Sequence, residues 1–480
     1  MNSTKYEGII IKYSNLTEGS VLKSLLALSV PIIFANILQT AYQLTDTFWV
    51  GRLGTVAIAA VSISFPFIFL FISLGGGLAM AGTILAAQYE GKGDTKAVNH
   101  ITSQTLMMVF IISIILATAG YFLSSFFVKL MGVESNVFPS AVVYLKISFI
   151  GTIFMFIFMA FQSLMRGVGD VKTPMYIVFG TVLLNLILDP LFIFGYGFIP
   201  PFGVAGAAVA TIGTQGLAAI IGIIILLKGK HQIQLHLNDL KPDVPLLKKM
   251  FRLGFPASIE QSTRALGMII MTFLVTTFGT LTLAAYGIGS RILSFIIIPA
   301  LGLSMATSTL VGQNIGAGKI KRAEKIAELS SLTGFIILTL AGIITFLFAK
   351  QIAAFFIPGE LQTIQTSALF IKIMALTFGF IGIQMALSGA FRGSGNTMIS
   401  MVLSIISLWV LRVPLAYVLS KHTAFAEVGL WIAFPATNII AAIITIVWFK
   451  KGTWKRKQIT EEIKLTKEIT QETIIEDNIE

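Results

Sequence analysis

Apolar runs long enough for a helix to cross a bilayer, ~20 residues, recur twelve times along the chain. They lie near residues 22–48, 56–86, 98–125, 138–164, 173–196 and 203–227, then 246–277, 283–313, 326–349, 363–390, 397–419 and 428–449. The longest interior break, Lys228 to Arg252, is polar and basic, contains Pro242 and Pro245, and divides six segments from six. The pattern predicts an all-α polytopic membrane protein of 12 transmembrane helices. Its parts are an N-terminal segment 1–21, an N-lobe 22–227, a linker 228–245, a C-lobe 246–449 and a charged tail 450–480. The tail is charged and periodic enough for a surface helix or for disordered chain.

The two sets of six are repeats. Sliding the second half back by 225 residues brings Pro31 onto Pro256, Gly77-Leu78 with Met80 onto Gly302-Leu303 with Met305, and Gln88, Gly91 and Gly93 onto Gln313, Gly316 and Gly318. A shift of 226 aligns Lys146 with Lys372 and Arg166-Gly167-x-Gly169 with Arg392-Gly393-x-Gly395. Six spans is an even number, so both halves enter from the same side. An axis along the membrane normal then relates two bundles around a central cleft, although duplicated halves could also line a channel.

Within the first segment, Asn36, Gln39, Gln43 and Asp46 follow steps of three, four and three, one face of a helix. An ionised carboxylate inside a bilayer costs several kcal/mol unless it faces a partner or a water-filled cavity, so Asp46 is a candidate functional residue. A helix-end carboxylate bonded to Thr45 or Thr47 is the alternative. Pro31 and Pro256 each remove a backbone donor inside a span and are candidate hinges.

Composition agrees with the pattern: 55% of the 480 residues are hydrophobic, 12% are charged and mean hydropathy is +0.88. The net charge of +12 is explained by topology. Twenty-five Lys and Arg fall on the termini and alternate loops, against only Arg52, Lys129, Lys350 and Lys421 opposite. The positive-inside rule then puts both termini in the cytoplasm. Contact with anionic headgroups is the expected use of this charge, and nucleic-acid binding is not expected. The chain has no Cys, which excludes disulfides and thiolate chemistry. The polar, mixed-charge start argues against a cleaved signal peptide.

Ordered motifs carry a family resemblance. They are Leu44 to Gly54 (LTDTFWVGRLG), Gly77 to Asp94 (GLAMAGTILAAQYEGKGD) with its twin Gly302 to Lys319, Met165 to Met175 (MRGVGDVKTPM), Leu183 to Gly195 (LLNLILDPLFIFG), Gly203 to Thr211 (GVAGAAVAT) and Phe391 to Thr397 (FRGSGNT). Over roughly residues 20–452 the chain resembles the multidrug and toxic compound extrusion (MATE) transporters. The resemblance implies a secondary antiporter that exports organic, often cationic, drugs in exchange for H⁺ or Na⁺ by alternating access, with no other cofactor. It also implies an N-lobe coupling cluster, which falls here on Asp46, Asn185, Asp189 and Thr211. At ~1.5 Å per residue, Asp46, Asp189 and Thr211 lie at similar depth, about 9–12 Å from the outer ends of their segments. Two carboxylates, an amide and a hydroxyl suit a hard cation or a shared proton. Asp189 precedes Pro190, however, and such a pair is also common at turns and helix ends.

The C-lobe departs from this pattern. Met268 and Met271 replace Gln43 and Asp46, Arg264 replaces Gln39, and the tenth segment has no acidic residue. Glu260, four residues before Arg264, is expected to form an ion pair with it. Candidate cleft residues for amphipathic substrates are Gln39, Tyr42, Gln43, Met268, Met271 and Arg264, chosen for adaptable apolar contact with few polar groups.

Arg166 and Arg392 are expected to anchor the cytoplasmic helix ends, and the glycines at 91, 93, 316 and 318 to make turns. An enzyme is not expected. The four His lack metal-ligand spacing, and Gly318-Lys319 is followed by Ile320 where a phosphate loop needs Ser or Thr. A lipid-linked sugar flippase is the rival reading, with Arg264, Arg291 and Arg412 as the cations available for pyrophosphate. The expected setting is the plasma membrane of a prokaryote, with a monomer sufficient for function.

Overall fold

The computed structural model describes residues 16–197, 199–229 and 231–456. Most of the N-terminal segment, including Lys5 and Lys12, and the charged tail from Lys457 onward lie outside the described residues. The N-lobe consists of α1 (Val21–Gly51), α2 (Thr55–Lys92), α3 (Thr95–Leu130), α4 (Phe138–Gly167), α5 (Lys172–Phe194) and α6 (Val204–Lys228). After a short 3₁₀ turn at Leu237–Leu240 come α7 (Val244–Thr276), α8 (Thr280–Gly316), α9 (Ile320–Leu347), α10 (Ala349–Phe356), α11 (Leu361–Ala375) and α12 (Phe378–Gly393). The C-lobe closes with α13 (Thr397–Ile405), a π-helical turn at Ile406–Arg412, α14 (Val413–Lys421) and α15 (Glu427–Lys450).

The helix boundaries follow from local chemistry. Asp94 and Asp243 accept from Ala97 N and Leu246 N (3.0 and 3.1 Å), satisfying donors at the starts of α3 and α7. Gly93, at φ +76°, closes α2 in a left-handed conformation that a side chain rarely adopts. Exposed Phe110, Ile111, Ile114, Ile115 and Phe122 give α3 an outward apolar face that suits lipid rather than water.

Ten described helices, counting 397–421 as one, are long and apolar enough to cross a membrane. An eleventh span is the pair α11 and α12, bent by 49° at Leu376–Thr377. The remaining segment, α7, has the length but carries Lys248, Lys249, Arg252, Glu260 and Arg264. Two expected single helices are therefore interrupted. In the tenth span, Asn438 donates to Thr377 Oγ1 (3.2 Å) beside the break, supplying a polar partner from α15. In the eleventh, the widened turn immediately precedes Pro414, which has no N–H to continue the ladder.

The lobes meet at the end of the bundle that carries the turns after α2, α4, α8 and α12, here called the basic end. Contact is reciprocal under the repeat. Gln88 donates to Gly393 O, and Gln313 to Gly167 O, both at 2.9 Å. Gly91 lies so close to Gln313 O, and Gly316 to Gln88 O, that an added Cβ would fall 1.9 and 1.8 Å from those oxygens. Gly77 packs on the Ser258 backbone and Gly302 on Ile33.

The expectation that all four motif glycines make turns is thus corrected. Gly93 and Gly318 take positive φ, whereas Gly91 and Gly316 are helical and permit backbone contact between lobes. Gly91→Ala and Gly316→Ala should each wedge this end open. Spin labels or dyes on single cysteines, placed in a chain that has none of its own, should report a longer distance between α2 and α8 ends. An unchanged distance in both variants would contradict this account.

The linker is docked rather than loose. Gln104 donates to the carbonyls of Asp239 and Lys241 (2.6 Å each), and His100 Nε2 pairs with Asp243 (3.0 Å).

Candidate functional site

Packing of α1 on α5 and of α5 on α6 brings the four N-lobe candidates into one buried polar region. Asn185 and Asp189, four residues apart on α5, are both fully buried, and Asn185 Nδ2 donates to Asp189 Oδ1 (2.9 Å). Asp46 and Asp189 lie within range of each other's charge. Four oxygens here are buried with no hydrogen-bond partner: Asp46 Oδ1, Asn185 Oδ1, Asp189 Oδ2 and Thr211 Oγ1. Buried polar atoms are nearly always bonded. Four acceptors left together on three helices form a set suited to a hard cation or a proton.

The alternatives left open for the two carboxylates do not describe these positions. Thr45 and Thr47 donate to Ala41 O and Gln43 O (3.0 and 2.8 Å), not to Asp46, and α1 runs on to Gly51. Pro190 stands inside α5, which continues to Phe194, so Asp189 is neither in a turn nor at a helix end.

The cleft candidates separate. Gln39, Gln43 and Met268 are exposed. Tyr42 is buried instead, its hydroxyl 2.7 Å from Thr214 Oγ1 and 3.5 Å from Thr211 O, so it belongs to the wall of the N-lobe cluster. Met271 packs in an apolar core with Leu274, Val275 and Phe370.

Arg264 is held by Glu260 (2.7 Å) and Ser404 (3.3 Å). The expected Glu260–Arg264 pair is therefore present, but it is part of a larger network. Arg392 Nη1 donates to Glu260 Oε1 (3.1 Å) and Nη2 to Ser304 Oγ (2.7 Å), while Ser400 Oγ donates to Glu260 Oε2 (2.8 Å). Arg392, expected to anchor a cytoplasmic helix end, does stand in the last turn of α12, but its side chain is buried in this network. Arg166 is likewise drawn inward, donating to Ser163 Oγ (3.0 Å).

Sequence reasoning missed Thr214 and Tyr144. Thr214 could have been found, since it lies three residues from Thr211 on the same helix face. Tyr144, buried within charge range of Asp46, sits in an apolar run that gave no signal. Pro31 and Pro256 both stand inside unbroken helices.

A duplicated helical bundle spanning the membrane, with buried carboxylates on facing helices, defines a multi-pass membrane transporter. A family model described as MatE matches residues 31–191 and 256–418, two stretches that begin 225 residues apart at the two repeat prolines. The chain belongs to the MATE family. It is 32% identical over 452 residues to the probable multidrug resistance protein YoeA of Bacillus subtilis (strain 168), covering 93% of this chain and 97% of that one. Among solved structures it is similar to a MATE in complex with MaL6, at TM-score 0.87 and 25% identity over 93% of this chain and 99% of that one. It is also similar to the outward-facing conformation of a multidrug resistance MATE family transporter of the MOP superfamily, at TM-score 0.86 and 25% identity with the same coverage.

Proposed function

We propose that the protein is a secondary antiporter that exports amphipathic, often cationic, organic compounds in exchange for H⁺ or Na⁺ through a cleft between its lobes. The carrying observation is the set of four buried, partnerless oxygens on α1, α5 and α6. In this reading inward ion movement loads that set, and the lobes alternately part and close at their contact at the basic end, which faces the cytoplasm of a prokaryotic cell. The names of relatives as multidrug resistance proteins support the drug-export half of the reading.

The experiment is efflux of a fluorescent organic cation from proteoliposomes under an imposed pH gradient or Na⁺ gradient. Acceleration by one of them identifies the coupling ion; indifference to both would overturn coupling.

The flippase reading loses ground because two of its three cations are engaged inside the lobe, and the third, Arg291, is exposed and lies over the Phe356 ring at 6.0 Å. Arg264 is in the Glu260 network, and Arg412 donates to Thr437 Oγ1 (3.1 Å) and Asn438 Oδ1 (2.6 Å) beneath the Phe434 ring.

Pro31 is the proposed hinge through which loading of Asp46 changes access to the cleft, since it removes a backbone donor four turns before that residue. Pro31→Ala should slow gradient-driven efflux several-fold and weaken its ion dependence. Full transport with unchanged ion dependence would remove Pro31 from the mechanism.

A further inference from the structure

The repeat makes the two lobes each other's control. In the C-lobe, the Arg392 guanidinium meets a carboxylate supplied by the chain itself, Glu260, which also receives Arg264 and Ser400. The same four positions in the N-lobe are Arg166, Ala35, Gln39 and Pro174. The arginine is kept and the carboxylate is replaced by a methyl group.

Arg166 is partly buried; it donates to Ser163 Oγ (3.0 Å) and faces Met305 Sδ at 3.7 Å. It forms no ion pair among the described residues. Beside it lies a cavity of about 40 Å³ lined by Ala35, Asn36, Gln39, Gln162, Arg166 and Pro174. That is several times the about 10–15 Å³ one water needs. Asn36 adds a buried amide donor, Nδ2, with no partner, and Gln39 is exposed. A planar guanidinium with a second N–H donor and carboxamides around it is the chemistry that recognises a carboxylate. An unpaired cation inside a membrane bundle marks a functional site.

We infer that this cavity is an anion subsite of the transport cleft, taking a carboxylate of the exported compound in the place that Glu260 fills in the other lobe. This rests on the export reading and sharpens it: among amphipathic cargo, compounds that carry a carboxylate, zwitterions included, gain an added contact at Arg166. The positive end of such a molecule is free to lie toward Asp46, ten residues further along α1.

Two probes test the subsite. The first does not depend on transport: benzoate against isosteric, neutral benzamide, read as thermal stabilisation of the full chain in phosphatidylcholine nanodiscs. Benzoate should raise the melting temperature of the native protein and benzamide should not. The response should vanish in Arg166→Gln and in Ala35→Glu, which builds in the missing carboxylate and keeps Arg166 paired if the first variant folds poorly. Equal stabilisation by benzamide, or a benzoate response that persists in Ala35→Glu, would overturn the subsite. So would loss of the response in phosphatidylglycerol nanodiscs, which would assign the cavity to a lipid headgroup.

The second probe is cargo-like: rhodamine B, with its free benzoate, against its ethyl ester, by fluorescence anisotropy. The acid should bind about 10-fold more tightly, equivalent to ~1.4 kcal/mol, and Ala35→Glu should erase the difference. Binding of the ester as tight as the acid would overturn the cargo assignment. Failure of the export reading shows separately, as dye efflux indifferent to any gradient while benzoate still binds.

Discussion

Asp46→Asn should abolish gradient-driven efflux while leaving dye binding in place. The substitution keeps the shape of the side chain and removes its charge, and it acts on one of four buried oxygens that have no partner in the protein. An amide cannot exchange a proton at neutral pH, and it contributes a weaker, neutral oxygen to a cation. Proteoliposome efflux should fall to the rate seen without a gradient, with the equilibrium affinity for a fluorescent cation changed by less than a few-fold. Efflux that still follows the gradient would move coupling away from α1. Asp189→Asn should fail in the same way, because Asn185 already occupies Asp189 Oδ1 and leaves only Oδ2 open.

The largest stability effect is expected at Glu260. Its side chain is 2% exposed and meets two arginines and a serine. Removing one member of a buried charge network leaves the others desolvated without compensation, at a cost of about 3–5 kcal/mol. Glu260→Ala should therefore lower the melting temperature in detergent steeply, and Glu260→Gln should fall between it and the native protein because it retains a partner for Ser400. A native melting temperature in Glu260→Ala would show that Arg392 finds solvent or another acceptor. The network also argues against Glu260 as a second coupling site, since both of its oxygens are already bonded.

Much of this molecule could be read from the order of its residues, and the exceptions have physical causes. The spans were legible because apolar length is a local signal. The polar face of α1 was legible because three- and four-residue steps map onto a helix surface. The bend at Leu376–Thr377 was not: the stretch has no proline, and its polar partner Asn438 comes from a helix 61 residues away. Gly91 and Gly316 were misread because a glycine near a helix end has a simpler local explanation than contact with the opposite lobe. Arg392 was read as an anchor of a cytoplasmic helix end because nothing in its neighbourhood points to Glu260, 132 residues earlier. Tyr42 looked like a cleft residue from its side-chain chemistry, and only the packing of α6 shows it turned toward Thr214.

The contact between the lobes at the basic end has a kinetic consequence. Gln88 bonds the carbonyl of Gly393 with its side chain while its own carbonyl abuts Gly316, and Gln313 repeats this with Gly167 and Gly91. The four points lock registration along the helix axes, so the lobes cannot slide past one another and must separate as a hinged pair. The two bonds are equivalent under the repeat, and parting the lobes at this end breaks both together. Opening should consequently be an all-or-none event with a single barrier, visible in single-molecule recordings as two dwell states with no intermediate between them.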